Sequence, residues 1–178
     1  MFGRPVVAIE QAESNLEGQL ADFFELHYVR LVRLAALVCH ANPSVEDAVQ
    51  AAMEQAWRRR HTLRDPSLLR PWLDQIVVRE AIRLNRRPWW SRLTHQIDSE
   101  PAPELPDRRP GVDPAWIALS IAFRTLPAEQ RAVVALHLYE GYPVNETAEL
   151  MGASIETTRS RLRLARQRLR RELGEEVS

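Results

Sequence analysis

Residues 143–166 read PVNETAELMGASIETTRSRLRLAR, and this stretch decides the fold of the C-terminal half of the chain. A short helical pattern, a turn at Gly152-Ala153-Ser154 and a long helical pattern from Ile155 are typical of a helix-turn-helix, whose second helix enters the DNA major groove by its N-terminal end. Ala148 is small where the two helices must cross closely, and Leu162 is apolar where a core is needed. The stretch favours DNA binding over a merely solvated, arginine-rich helix.

The early part of the second helix carries side chains suited to DNA. Hydroxyl and guanidinium groups match the donors and acceptors of base edges, and they come from Thr157, Thr158, Arg159, Ser160 and Arg161. The basic run continues with arginines suited to phosphate contacts, namely Arg163, Arg166, Arg168, Arg170 and Arg171.

The rest of the chain is also helical in pattern, which predicts an all-α protein. A capping-box signature at Ser14 opens the first helix, and Asn42-Pro43 stops it. The second helix runs from Ser44 to about Arg60. The third begins at Pro71, where a proline costs no helical hydrogen bond. No strand-like alternation of useful length occurs.

Prolines divide this all-α chain into two small helical domains. Five of them lie among polar residues between 88 and 112, a composition typical of a semi-stiff, extended linker. Asp113-Pro114 then restarts the helical pattern. We therefore predict a first domain at 14–92, a linker at 93–112 and a second domain at 113–174.

Composition excludes several classes of protein. With 45% apolar and 27% charged residues, the chain reads as a folded soluble protein, and it contains no apolar run long enough to span a membrane. No secretory signal pattern opens the sequence, so we expect a cytoplasmic protein. Cys39 is the single cysteine and lies beside an apolar run, which predicts a buried structural thiol.

The net charge of zero conceals two basic blocks. Residues 58–92 contain ten arginines against three acidic residues, and residues 156–172 contain seven against two. Two such blocks with a neutral stretch between them favour two contacts with one polyanion. Every basic residue is arginine, which suits bidentate contacts with phosphate or guanine and also indicates a genome with GC-rich codons.

An acidic stripe runs along the second helix. Asp47, Gln50 and Glu54 are spaced i, i+3, i+7, with Glu46 at the edge. Periodicity alone favours an ordinary solvated face, but in an arginine-rich chain such a stripe also suits docking of a basic partner. Catalytic carboxylates are the weakest interpretation, because no histidine, metal cluster or nucleophile accompanies the stripe. We expect no catalytic residue, metal site, cofactor or small-molecule substrate.

Tryptophans and arginines are interleaved between Trp57 and Trp90. Single-stranded DNA requires cations for its backbone and rings for its unstacked bases. Trp57 and Trp72 lie on apolar faces and are expected in the core, whereas the tandem Trp89-Trp90 follows the helix-ending Pro88 and is expected to be exposed.

These segments resemble, in order, two regions of the sigma-70 superfamily, in particular its extracytoplasmic-function (ECF) branch. Val45 to Gln50 with Ala56-Trp57-Arg58 is similar to the A-E-D-L-V-Q…A-W-R segment of region 2, and Pro71 to Arg79 resembles its W-L-x-x-I-A-x-N stretch. Leu126 to Arg131 is similar to the L-P-x-x-x-R signature of region 4. Glu146 to Leu162 resembles the E-I-A-x-x-L-G-x-S…T-V-K-S-R-L segment of that region.

The resemblance implies a transcription initiation factor that guides core RNA polymerase to promoters. It implies binding to the clamp coiled coil of the polymerase β′ subunit through Glu46, Asp47, Gln50 and Glu54. It implies single-stranded −10 DNA binding by His61, Arg64, Arg79, Glu80, Arg83, Arg86 and Arg87. It implies double-stranded −35 DNA binding by His137, Thr157, Thr158, Arg159, Ser160, Arg161 and Arg163. Further implied partners are the polymerase β flap and an anti-sigma factor.

Some residues depart from the family pattern. Glu80 stands where the −10-reading helix usually has asparagine, and His137 stands where an arginine often contacts the −35 backbone. Leu164 replaces a common arginine, while Thr147 and Thr158 replace apolar core residues. Two alternatives remain open beside a sigma factor. One is a stand-alone helix-turn-helix regulator, and the other, which the departures support, is a sigma-like adaptor that binds polymerase without starting transcripts.

Overall fold

The protein is built from helices and turns throughout the part of the chain that its structure describes. The structure is a computed structural model, and it describes residues 4–39, 43–86 and 114–174. The α-helices in these ranges are α1 (Arg4–Val38), α2 (Pro43–Arg59), α3 (Leu69–Asn85), α4 (Pro114–Arg124), α5 (Ala128–Val134), α6 (Val144–Met151) and α7 (Ile155–Glu172). The all-α prediction is confirmed. None of the helices within these ranges is long and apolar enough to cross a bilayer.

The first helix is longer than its sequence pattern predicts. α1 begins at Arg4 rather than at Ser14, so the capping-box signature does not mark a helix start here. Residues 6–13 contain neither glycine nor proline, and nothing in them interrupts the backbone hydrogen-bond ladder. A serine followed three residues later by a glutamate is a start signal only where the preceding residues leave the helix.

α1, α2 and α3 pack against one another and form the first domain. Its most completely shielded large side chains are Leu20, Leu31, Leu34, Val38, Val49, Leu73, Val77 and Val78. Two one-turn 3₁₀ helices, Arg60–Thr62 and Pro66–Leu68, carry the chain from α2 to α3. Asp65 caps the second of them, because its Oδ1 accepts a hydrogen bond from the backbone N–H of Ser67 at 2.9 Å.

Cys39 follows the last turn of α1 and is buried, as predicted. Burial raises the pKa of its thiol to about 12, because the thiolate would lose its hydration. The thiol therefore stays protonated at neutral pH and acts as a packing group rather than as a nucleophile.

α4 to α7 form the second domain, and α6 and α7 make the predicted helix-turn-helix. Gly152 ends α6 with a φ of 60°, a conformation that glycine adopts without the strain a Cβ would cause. The Ser154 hydroxyl caps α7 by accepting from the backbone N–H of Thr157 at 3.1 Å. Leu126, Val133, Val134, Leu162 and Ala165 form the core of this domain.

α5 does not continue as a regular α-helix up to Gly141, the next residue that favours a helix end. It ends at Val134 and passes into one π-helical turn, Ala135–Tyr139. The backbone N–H of Glu140 accordingly donates to the carbonyl of Ala135 at 2.9 Å, and Gly141 follows with a φ of 82°. The wide turn redirects the chain and delivers Glu140 and Tyr142 to the first domain.

The two domains pack directly against each other. α5 contacts both α1 and α3, and α6 contacts α3. Ala132, Leu136, Tyr142 and Leu150 of the second domain belong to the same buried apolar cluster as the core of the first. The boundaries at 14–92, 93–112 and 113–174 stay a prediction, since residues 87–113 lie outside the described ranges.

Candidate nucleic-acid and polymerase interfaces

The acidic stripe lies on the solvent side of α2. Its four residues, Glu46, Asp47, Gln50 and Glu54, are exposed, while Ala48, Val49 and Ala52 on the other side of the helix are buried. Gln50 Nε2 donates to Glu54 Oε1 at 3.4 Å, and Glu54 also faces Arg58 across 3.7 Å in an exposed ion pair. Such pairs contribute little to stability, so the carboxylates are accessible to a partner with cationic side chains.

An open pocket of about 570 Å³ lies between the end of α2, the first 3₁₀ turn and α3. It is lined by Gln55, Arg59, His61, Thr62, Trp72, Gln75, Ile76, Arg79 and Glu80. The lining therefore combines cations and an aromatic ring with amide groups and one carboxylate, and the volume is within the range of ligand sites. Of the residues predicted for −10 DNA, His61, Arg79 and Glu80 meet in this pocket.

Glu80 is held beside the pocket by Arg83, one turn further along α3. Its Oε2 accepts from Arg83 Nε at 2.6 Å, and the Glu80 side chain is 16% exposed. The ion pair engages one carboxylate oxygen and fixes the direction of the group. The second oxygen can accept a hydrogen bond from a ligand in the pocket.

The remaining residues predicted for −10 DNA do not line this pocket. Arg64 is exposed in the segment between the two 3₁₀ turns. Arg86 reaches the second domain, where its Nη2 lies 2.6 Å from Glu129 Oε1. Arg87 lies outside the described residues, and so does the tandem Trp89-Trp90.

The two tryptophans that were expected in the core differ from each other. Trp57 is 44% exposed, so that prediction is wrong. Ala56 faces the core at this point of α2. Trp57 is the next residue, so it is rotated by about 100° around the helix axis and faces outward. The Arg60 guanidinium stands 5.4 Å from the Trp57 ring centroid, a cation–π contact. Trp72 is half-buried, packs on the core and also lines the pocket.

The N-terminal end of α7 presents a polar surface, but Thr158, one of the residues predicted for −35 DNA, does not contribute to it. Thr157, Arg159, Ser160 and Arg163 are exposed, and Arg161 is half-buried. Thr158 is completely buried, together with Leu162 and Ala165 on the inner face of α7. Because its side chain cannot reach a base edge, its assignment to the −35 surface is corrected to a packing role.

A basic groove of about 960 Å³ runs along α7. It is lined by His137, Val144, Arg159, Leu162, Arg163, Arg166, Gln167, Arg170, Arg171 and Gly174. His137 Nδ1 donates to the carbonyl of Tyr142 at 2.7 Å, which orients the ring. The structure thus brings His137 together with Arg159 and Arg163, and the arginines of the groove suit a phosphate backbone. Among the described residues, no three His, Cys, Asp or Glu side chains are placed to hold a metal ion.

Sequence reasoning missed the charged residues between the domains. Arg30, Arg70, Asp74, Glu140 and Tyr142 form a hydrogen-bonded cluster there, which we call the interdomain latch. Asp74 stands among the apolar positions of α3, and a carboxylate in such a place is a signal of a buried ion pair. Its partners come from other helices, so no spacing in the sequence indicates them.

Arg131, the arginine of the Leu126 to Arg131 signature, is also structural. It is buried, and its Nε and Nη2 donate to the carbonyl of Val38 at 2.9 and 2.7 Å. Its Nη1 donates to the carbonyl of Leu126. Burial lowers its pKa. The side chain satisfies a carbonyl at the C-terminal end of α1, which the helix itself leaves without a partner.

An exposed acidic helix face, a pocket lined by cations and an aromatic ring, and a helix-turn-helix are together features of a helical DNA-binding protein. The family description "Sigma-70 region 2" matches residues 23–91, and "Sigma-70, region 4" matches residues 118–169. The chain is 34% identical over 151 residues to the ECF RNA polymerase sigma factor SigM of Mycobacterium tuberculosis, and the alignment covers 85% of this chain and 75% of that protein. It is 30% identical over 163 residues to the RNA polymerase sigma-E factor of Streptomyces coelicolor, covering 88% of both. The chain therefore belongs to the ECF family of sigma-70 factors, and it is an RNA polymerase sigma factor.

Solved structures share the fold. The sigma factor RpoE of Bartonella quintana, crystallised with the anti-sigma factor NepR, superposes with a TM-score of 0.69 at 22% identity, over 88% of this chain and 98% of that one. CnrH, in complex with the cytosolic domain of CnrY, superposes with a TM-score of 0.62 at 23% identity, over 94% and 96% of the two chains. Both superpositions extend over the two helical domains.

Proposed function

We propose that this sigma factor docks on core RNA polymerase through α2, reads the −35 element with α7 and captures unpaired −10 bases beside α3. The supporting observation is that three surfaces with the required chemistry lie on one chain of the ECF family: an acidic stripe, a mixed aromatic and cationic pocket, and a basic groove. The stripe lies on α2, the pocket lies mainly on α3 with residues from the end of α2, and the groove runs along α7, so each surface has residues that can be altered without touching the others.

The polymerase contact is assigned to Glu46, Asp47, Gln50 and Glu54. Their exposed carboxylates and amide suit a basic partner, which we take to be the clamp coiled coil of the β′ subunit, as the family resemblance implies. Complementary charge across such an interface speeds association and fixes the orientation of the partner. The resemblance also implies that the second domain contacts the β flap.

The −10 contact is assigned to the pocket and its basic surroundings. Trp72 offers a ring on which a base can stack, and Arg59 and Arg79 offer positive charge for the backbone. Arg64, Arg83, Arg86 and Arg87 would extend this positive surface. The carboxylate of Glu80 suits a base with an exocyclic amine, above all cytosine, whose N4 amine is a donor that glutamate accepts.

The −35 contact is assigned to the exposed residues at the start of α7. Arg159 is suited to bidentate recognition of guanine, and Thr157, Ser160 and Arg161 offer further donors. His137 and Arg163 lie along the same groove and suit the phosphate backbone.

The chain contributes binding and no chemistry of its own. Polymerase forms the phosphodiester bonds, and this factor supplies no catalytic residue to that reaction. Its place of action is the cytoplasm, where bacterial transcription occurs. An anti-sigma factor is the expected regulatory partner, by analogy with RpoE of Bartonella quintana, which was crystallised with one.

Transcription with a core polymerase from a GC-rich bacterium tests the proposal. A library of genomic promoters is transcribed with and without the protein, and the start sites are mapped. New transcripts whose promoters share −35 and −10 motifs are the expected result. Polymerase binding without transcripts would support the adaptor instead, and a footprint by the protein alone without polymerase binding would support the stand-alone regulator.

A further inference from the structure

Leu164 is an exposed leucine in the middle of α7, among charged and polar side chains. It is 41% exposed. Its neighbours on the helix surface, three and four residues away in either direction, are Ser160, Arg161, Gln167 and Arg168. None of these four side chains is apolar. The leucine is therefore an isolated apolar group on this surface and does not extend the core of the domain outward.

Leu164 belongs to a strip of uncharged side chains along α7. Thr157, Ser160, Leu164 and Gln167 are spaced i, i+3, i+7, i+10, a spacing that keeps them on one side of the helix. All four are exposed. The inner face of α7 packs on the core of the second domain, so this strip, which we call the neutral strip, faces outward.

Arginines flank the neutral strip on both sides. Arg163, Arg166 and Arg170 line the basic groove on one side. Arg161 and Arg168, seven residues apart, lie on the other side. A helix in the major groove has a phosphate backbone on either side and base edges in front of it. Two rows of guanidinium groups therefore suit the two backbones, and the strip between them suits the base edges.

A leucine side chain suits one group that base edges present in the major groove. Thymine carries a methyl group on its C5 atom there, and the other three bases carry none. Apolar contact with this methyl group is a common way in which proteins select thymine. A leucine side chain neither donates nor accepts a hydrogen bond, so it cannot select a base through its polar groups.

The position of Leu164 also separates it from Arg159, which is assigned to guanine. The two residues are five positions apart, about 7.5 Å along the helix axis. Successive base pairs are about 3.4 Å apart, so the two side chains meet different base pairs. The arginine that is common at this place in the family pattern would offer donors to guanine or phosphate. Leu164 offers only an apolar surface.

We propose that Leu164 selects thymine at one position of the −35 element by packing against the C5 methyl group of that base. This inference rests on the proposed assignment of α7 to the −35 element. The departure of Leu164 from the family pattern then changes the preferred base at one position instead of merely removing a contact.

The test uses two libraries of randomised duplex DNA that differ only in this methyl group. One is amplified with dTTP and the other with dUTP, so that uracil, which lacks the C5 methyl group and pairs in the same way, replaces every thymine. The full-length protein, together with core polymerase from a GC-rich bacterium, selects duplexes from each library, and the bound sequences are counted.

Three variants accompany the wild-type protein, and circular dichroism checks that each is folded. Leu164→Ala removes the proposed contact. Leu119→Ala makes the same truncation on α4, at a position that is 38% exposed, and serves as the matched control. Leu164→Arg supplies the arginine that is common in the family pattern.

The wild-type protein is expected to enrich thymine over cytosine about fourfold at one position of its motif, the factor that burial of one methyl-sized group contributes. In the uracil library this preference should disappear, while the guanine positions of the motif stay. Leu164→Ala should lose the same preference, and Leu119→Ala should keep it. Leu164→Arg should select guanine at that position.

Two results would overturn the proposal. One is a wild-type motif without a methyl-dependent thymine, and the other is an unchanged preference for thymine in Leu164→Ala. If no motif were enriched from either library, α7 would be removed from −35 recognition, and the proposal would fall with it. A methyl-dependent motif from a protein that starts no transcripts would instead contradict the promoter function and leave the contact between Leu164 and thymine standing.

Discussion

Thr158 has a polar side chain at a buried, apolar position, so the effect of replacing it on the free energy of unfolding can be predicted. It is 0% exposed, and its Oγ1 has no hydrogen-bond partner among the described residues. A buried hydroxyl without a partner costs free energy. Thr158→Val should therefore raise the free energy of unfolding by about 1 kcal/mol, measured by urea denaturation.

Thr147 provides the control for that substitution. It is equally buried, but its hydroxyl donates to the carbonyl of Pro143 at 3.0 Å. Thr147→Val loses this hydrogen bond and should not raise the free energy of unfolding. If the two valine variants changed the free energy of unfolding by the same amount, the difference in hydrogen bonding between the two hydroxyls would not explain the effect of Thr158→Val.

Glu80 should determine one base of the −10 element. With its carboxylate held by Arg83, it presents an acceptor and no donor, which favours cytosine. Glu80→Gln adds a donor and should relax a preference of roughly tenfold, the lower end of what one good base contact contributes. Transcription from promoters carrying each of the four bases at each −10 position measures this. An unchanged ranking of bases would exclude Glu80 from recognition.

The helix α2 buries one face in the core and exposes the other, so substitutions on its exposed face should leave the fold intact. Asp47→Arg reverses one charge of the acidic stripe. We expect it to abolish measurable binding to core polymerase, since close charge pairs across interfaces are worth about 1.5–7 kcal/mol. Glu25→Arg, the same change on an exposed part of α1, should bind normally. Unchanged affinity for Asp47→Arg would remove the stripe from the polymerase interface.

α7 should show two kinds of arginine along its length. Arg159, in its first turns, should contact a base, so Arg159→Ala should cost about 1–3 kcal/mol at the preferred −35 sequence and much less at others. Arg170, near its end, should contact phosphate, so Arg170→Ala should weaken all sequences alike. Competition binding with −35 duplexes separates the two patterns. A uniform loss for Arg159→Ala would reassign it to the backbone.

The helices were largely predictable, because their signals are local. Proline starts, a glycine end at Gly152 and the Ser154 cap lie within a few residues of the boundaries they set. The misses have physical causes. α1 extends back to Arg4 because no residue before Ser14 stops it. The π turn at Ala135–Tyr139 satisfies an interdomain contact rather than a local preference.

For the molecule as a whole, the sequence indicated the surfaces but not their arrangement. The charge blocks and the helix-turn-helix pattern located the candidate DNA contacts, with Thr158 as the exception that burial corrected. The latch could not be predicted, because Arg30 pairs with partners 44 and 110 residues away. Periodicity within a helix indicates which of its side chains are buried, but it cannot indicate which distant charged residue pairs with a buried one.

Acid should weaken the contact between the two domains through one identifiable pair. Arg86 of the first domain holds Glu129 of the second at 2.6 Å and is the main reason that the pKa of Glu129 lies below its ordinary value. Arg161 on α7 adds to this effect. A carboxylate whose pKa is lowered by the contact between the domains stabilises that contact above its ordinary pKa, and the contribution disappears as the pH falls through the lowered value.

Glu129→Gln tests this pair, because glutamine cannot titrate. The domains of the wild-type protein should separate more steeply than those of the variant as the pH falls from 6 to 3, when the radius of gyration is followed by X-ray scattering and helicity is followed in parallel. At neutral pH the variant should be slightly more open, since a partly exposed pair contributes up to about 1 kcal/mol. Parallel curves for the two proteins would show that the Arg86–Glu129 pair does not stabilise domain closure in solution. A divergence confined to the range in which Glu129 titrates would mean that the contact between the domains exists in the free protein and that its charges help to hold the domains together.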